Sequence, residues 1–90
     1  MRCISVYTND FGVFSDLYEQ ILNTPLAENE ERTLEGVVFS DSGEIDDDYV
    51  NRLKEKPEVV VMKLKDTGIT ILQHGDVFEI FLPASQNVIN

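Results

Sequence analysis

The sequence predicts an α+β domain: a two-layer sandwich in the order β-α-β-α-β-β-β, with a mixed sheet whose C-terminal part is an antiparallel three-stranded meander. Three observations carry this. An alternating β-rich start leads into an apolar stripe of helical spacing. A short stretch opened by three aspartates and followed by basic residues reads as a second helix. Three β-rich runs, divided by turn residues, fill the last third. Ninety residues with 42% hydrophobic and 27% charged composition suit one domain. That domain is taken as 1–83, with 84–90 a loose tail after the strand-breaking Pro83.

Arg2 to Tyr7 places β-branched Ile4 and Val6 on one side and reads as the first strand. Thr8-Asn9-Asp10 offers several N-caps. Phe11, Phe14, Tyr18 and Ile21 then recur at 3, 4 and 3 residues, widened by Val13, Leu17 and Leu22, while Ser15, Asp16, Glu19 and Gln20 form a polar outer face. Asn23-Thr24-Pro25 ends this helix, because the residue before a proline is pushed out of the α region. Leu26 to Arg32 is an acidic connector. Thr33 to Ser40 reads as one strand with Gly36 marking a bulge or close approach, and Asp41-Ser42-Gly43 as a turn. Asp46-Asp47-Asp48 opens the second helix where carboxylates favour the positive end of its dipole. Ile45, Tyr49 and Leu53 line its buried edge, and Pro57 stops it.

The meander runs are Val59–Lys65, Ile69–Gln73 and Val77–Leu82. A two-residue His74-Gly75 loop pairs Ile71 with Phe78 and Ile69 with Ile80, so Ile69, Ile71, Phe78, Ile80 and Leu82 share a face. A three-residue loop at Asp66-Thr67-Gly68 directs Lys63 into the core, which costs several kcal/mol for an unpaired charge. A two-residue Thr67-Gly68 loop instead sets Leu64 opposite Ile71 and places Val60, Met62 and Leu64 on the core side, a facing that a four-residue loop shares. The opposite face is mixed, carrying Lys65, Thr70 and Glu79 beside Lys63, Leu72 and Val77, with Val59, Val61 and Phe81 beyond. A right-handed crossover permits a helix on that side as well. Two layers are expected because a covering helix has to neutralise its charges. Left open, Val61, Lys63, Leu72, Val77 and Phe81 form a partner-binding patch.

Seven basic residues against seventeen acidic give a net charge of −10. Asp10 to Asp48 holds twelve acids against Arg32 alone, a local −11, whereas Tyr49 to Asp66 holds five bases against three acids, a local +2. Such a surface repels phosphate backbones and anionic membranes, so neither nucleic acid nor membrane is an expected direct partner. The N-terminal segment carries Asn9 and Asp10 before any long apolar run, and the chain has one cysteine, so a cytoplasmic, disulfide-free protein is expected.

Motifs for chemistry are sparse. Cys3 and His74 are the sole residues of their types and form a nominal thiol–base pair, but their positions at a strand start and a hairpin tip favour structural roles. One Cys and one His do not make a zinc site. Asp41, Glu44, Asp46, Asp47 and Asp48 are oxygen-rich, yet Gly43 fails the calcium-loop spacing because it puts Val38 at the first ligand position. No Gly-rich phosphate loop and no nucleophile elbow occur, and Thr8-Asn9-Asp10 supplies its own carboxylate where a phosphate would sit. No catalytic residue, metal or cofactor is therefore expected. The expected function is a non-enzymatic protein-interaction or regulatory module that binds another protein or itself, as a homodimer, through the meander's exposed face. The alternatives are an acidic nucleic-acid mimic that occupies a basic protein, and a small-molecule-binding sensor or small enzyme.

Overall fold

The computed structural model describes residues 1–83; the segment read as a tail, 84–90, lies outside them. The elements are β1 (Arg2–Tyr7), α1 (Phe11–Leu22), β2 (Glu31–Leu34), β3 (Val37–Glu44), α2 (Asp47–Lys54), β4 (Val60–Lys63), β5 (Thr70–His74) and β6 (Val77–Leu82). The α+β class and the alternation of strands with two helices are as expected, with the second strand opened into a hairpin. Glu35 and Gly36 take φ of 50° and 82°, the left-handed pair that a two-residue loop requires, so Leu34 pairs with Val37.

That hairpin decides the sheet. It reverses the chain after α1, so the strand that reaches β1 is β3, and it runs antiparallel rather than parallel. All five neighbouring pairs in the open order β2-β3-β1-β6-β5-β4 are antiparallel, and the sheet is not mixed. The expected turn at Asp41-Ser42-Gly43 is instead a bulge within β3: Cys3 lies opposite Gly43 and Ile4 opposite Asp41, with Gly43 at φ 81°.

The helices form as read. The Asp10 side chain accepts the Val13 N–H at 3.0 Å and caps α1, and Phe14, Leu17 and Ile21 are its buried edge. Phe14 stacks on Phe78 with centroids 4.2 Å apart and rings 7° from parallel. Around them pack Ile4, Val6, Phe39, Ile69, Ile71 and Ile80, the main core. In α2, Asp47 and Asp48 occupy the first turn and Arg52 and Lys54 the last.

The layering differs from expectation. Neighbours along a strand fall into separate cores: Ile4, Ile71 and Ile80 belong with α1, whereas Cys3, Leu72 and Phe81 pack with Val50 and Leu53 of α2. Strand side chains alternate between faces, so the helices cover opposite sides of the sheet and the arrangement has three layers. The covering helix does not have to neutralise the charges of this face. It brings the Tyr49 hydroxyl to the one carboxylate beneath it, Glu79, and leaves Lys63 and Lys65 exposed at the sheet's edge. No helix among the described residues is long and apolar enough to cross a membrane.

Candidate functional site

The meander's register places the residues that matter. His74 pairs with Val77 across a Gly75-Asp76 loop, a register two residues from the one a His74-Gly75 loop gives, and Met62 pairs with Ile71 across a four-residue loop. Facing is unchanged, because slips of two residues preserve the strand's two-residue period. Phe78, Ile80 and Ile71 are buried as expected, and Met62 packs partly against them. Val60 and Leu64 share that face but remain exposed at the edge.

The five-residue patch is not one surface. Leu72 and Phe81 are 0% exposed under α2, so they belong to the interior. Val77 is half-buried, while Val61 and Lys63 are exposed. The corrected geometry divides the opposite face into a covered part, on β1, β5 and β6, and a free part on β4.

Beneath α2 lies a polar cluster centred on Glu79, a residue of the mixed face that is expected from the sequence to be open. Glu79 sits inside the apolar run Val77–Leu82 and is 8% exposed, opposite Leu72 and Ser5. His74 Nε2 lies 2.6 Å from its Oε1, the Tyr49 hydroxyl donates at 3.3 Å to either oxygen, and Cys3 Sγ is 3.9 Å from Oε2. Ser5 and Ser42 hydroxyls continue the row at 2.8 Å. Burial, reinforced by the Glu79 charge, pushes the Cys3 thiol up to about 12, and the same two causes raise Tyr49 to about 12. Cys3 is therefore a protonated, buried thiol at neutral pH and lacks the thiolate that nucleophilic attack needs. Cys3 and His74 do meet through Glu79, which serves as a shared hydrogen-bond acceptor between them. A carboxylate within an apolar strand was the sequence signal for this cluster; its partners came from the actual register.

On the α1 side, Arg2 and Asp41 form an ion pair at 2.6 Å, and the other Asp41 oxygen accepts the Gly43 N–H at 2.8 Å. This engages the buried member of the oxygen-rich group, and no set of three or more His, Cys, Asp or Glu among the described residues is arranged to hold a metal ion. At Thr8-Asn9-Asp10 the helix start is filled by the Asp10 carboxylate, and Asn9 donates to Asp76 at 3.3 Å.

Among the described residues no strand pairs with the outer side of β4, and this free edge has a different character. The Leu64 N–H bonds the Ile69 carbonyl at 3.1 Å, and hydrogen-bonded positions alternate along an antiparallel ladder. Val60, Met62 and Leu64 thus turn their backbone groups toward β5, and Val61 and Lys63 turn theirs outward. Val60, Val61 and Leu64 are 51%, 39% and 36% exposed, and Phe11 of α1 is 54% exposed. Between α1 and this edge runs an apolar groove of about 150 Å³, bounded by Phe11, Phe14, Tyr18, Met62, Leu64 and Ile71. The Tyr18 hydroxyl is buried and has no hydrogen-bond partner among the described residues. The sequence named Val61 and Lys63 here. It missed the groove, because Tyr18, Met62 and Leu64 are ordinary core residues by spacing.

Comparison with known proteins adds no constraint: no protein family, no curated protein and no solved structure matches this chain.

Proposed function

We propose that this protein is a non-enzymatic interaction module that docks a protein partner along the free edge of its meander, strand β4. The observation that carries this is the contrast between the sheet's two edges. β2 is Glu31-Arg32-Thr33-Leu34, with charges of the kind that blunt unwanted strand pairing, whereas β4 presents exposed Val60 and Val61 and the outward backbone groups of Val61 and Lys63. A mainly apolar edge, with Lys63 as its one charge, beside a groove is the arrangement that strand addition uses, with main-chain bonds supplying affinity and alternate side chains supplying selectivity. A chain whose lone cysteine is a buried free thiol fits a reducing compartment, and the cytoplasm is the setting we assign.

Amide hydrogen exchange tests the edge. In the free protein the Val61 and Lys63 amides exchange quickly and Met62 slowly. Addition of a purified binding partner slows Val61 and Lys63, and Val61→Pro abolishes its retention on the immobilised protein. A partner retained equally by wild type and Val61→Pro sinks the reading.

A further inference from the structure

Strand β4 separates two environments of opposite character. On the α1 side, Met62 and Leu64 border the apolar groove, which Phe11, Phe14, Tyr18 and Ile71 also line. On the other side Lys63 projects beside Val61, at the end of a segment that also carries Arg52, Lys54, Lys56 and Lys65. None of these five cations lies within 4.0 Å of a carboxylate among the described residues, although the chain holds seventeen acids. The segment Tyr49–Asp66 remains at +2 in a protein of −10.

From this geometry we infer that the β4 edge receives an extended peptide of alternating apolar and acidic residues, contributed by a different protein. The inference rests on the edge-docking reading above and specifies its partner. A strand laid against β4 bonds through the outward groups of Val61 and Lys63. Its side chains then alternate between the two faces. One set rises beside Met62 and Leu64 at the mouth of the groove and must be apolar. The other set emerges on the Lys63 side, where carboxylates meet the unpaired ammonium groups. Long-range steering acts in the same sense locally, since this is the positive region of an otherwise negative surface.

A second copy of the chain fits less well. Two β4 strands paired about a twofold bring their lysines together, and each copy adds −10 to the assembly. Pairing β4 with the acidic β2 of another copy matches charge but repeats head to tail without closing, which yields a filament.

The probes are three fluorescent peptides, with valine alternating with glutamate, glutamine or lysine, titrated into the protein by anisotropy at low salt. The glutamate peptide binds, the glutamine peptide binds about tenfold more weakly, and the lysine peptide weaker still, with the difference shrinking in high salt. Val61→Pro abolishes binding. It removes an N–H that points away from β5, so the β4–β5 ladder is retained, which circular dichroism verifies. Lys63→Glu/Lys65→Glu keeps every edge amide and erases the preference for glutamate. Equal binding of the three peptides overturns the acidic specificity and leaves edge docking intact. Failure of all three, or binding indifferent to Val61→Pro, overturns both. Sedimentation of the protein alone completes the test: a dimer or filament that Val61→Pro dissociates replaces the peptide with a second copy.

Discussion

The Nε2 of His74 and the Oε1 of Glu79 lie 2.6 Å apart on the α2 side of the sheet, diagonal to one another across the β5–β6 hairpin. Because Tyr49 donates to the same carboxylate, one side chain ties β5, β6 and α2 together. A buried polar group with three neighbours stabilises only while those neighbours stay satisfied.

Glu79→Ala strands the Tyr49 hydroxyl and the His74 ring, and costs roughly 1–3 kcal/mol in urea unfolding. Glu79→Gln keeps the shape and an acceptor, and loses less. If alanine and glutamine prove equally mild, Glu79 does not organise this region.

Alkaline pH destabilises the protein through Cys3 and Tyr49. Both are held protonated in the folded state, Cys3 from an ordinary 9.0 up to about 12 and Tyr49 from 10.0 up to about 12, first by burial and then by the Glu79 charge. The unfolded chain releases these protons first, so their contribution is complete below pH 9 and is lost progressively as the pH rises toward 12. Urea midpoints measured across that window fall with pH, and fall less steeply in Cys3→Ala. A flat profile in the wild type overturns this assignment.

Phe81→Glu and Val61→Glu have different consequences, although both residues belong to the same face of the meander. Phe81 is sealed beneath α2 beside Tyr49, so a carboxylate there costs roughly 3–5 kcal/mol or more and unfolds much of the population. Val61 stands in solvent at the edge, and its replacement changes the melting temperature little. Two folded variants with the same melting temperature contradict the three-layer arrangement.

Phe14→Ala removes a ring stacked on Phe78 and costs roughly 3–5 kcal/mol. Phe11→Ala, one helical turn earlier and mostly exposed, costs below ~1 kcal/mol in the free protein. Their unfolding midpoints in urea should separate accordingly; equal losses imply that Phe11 is packed rather than available to a ligand.

Much of the core was legible because apolar periodicity needs only local spacing. Phe14, Leu17 and Ile21 follow from the helical repeat, and Ile71, Phe78 and Ile80 from alternation. The meander's facing also survived an error in its loop, since both ladders were displaced by two residues and side chains repeat every two. The hairpin at Glu35-Gly36 was hidden because glutamate at φ 50° is poor turn chemistry, and its signal was the glycine alone. Missing that reversal implied a parallel neighbour for β1 and left the strand order open.

By itself, the sequence determined which side chains share a face, where α1 begins and ends, and how charge is distributed along the chain, because each depends on residues close in sequence. Only the tertiary structure decided which faces are interior. Leu72 and Phe81 became core, and Val61 and Lys63 stayed free, because α2 crosses over β1, β5 and β6 and stops short of the edge strand. Burial is a property of what lies above a residue, and what lies above these strands is set by chain direction after a turn that spans two residues.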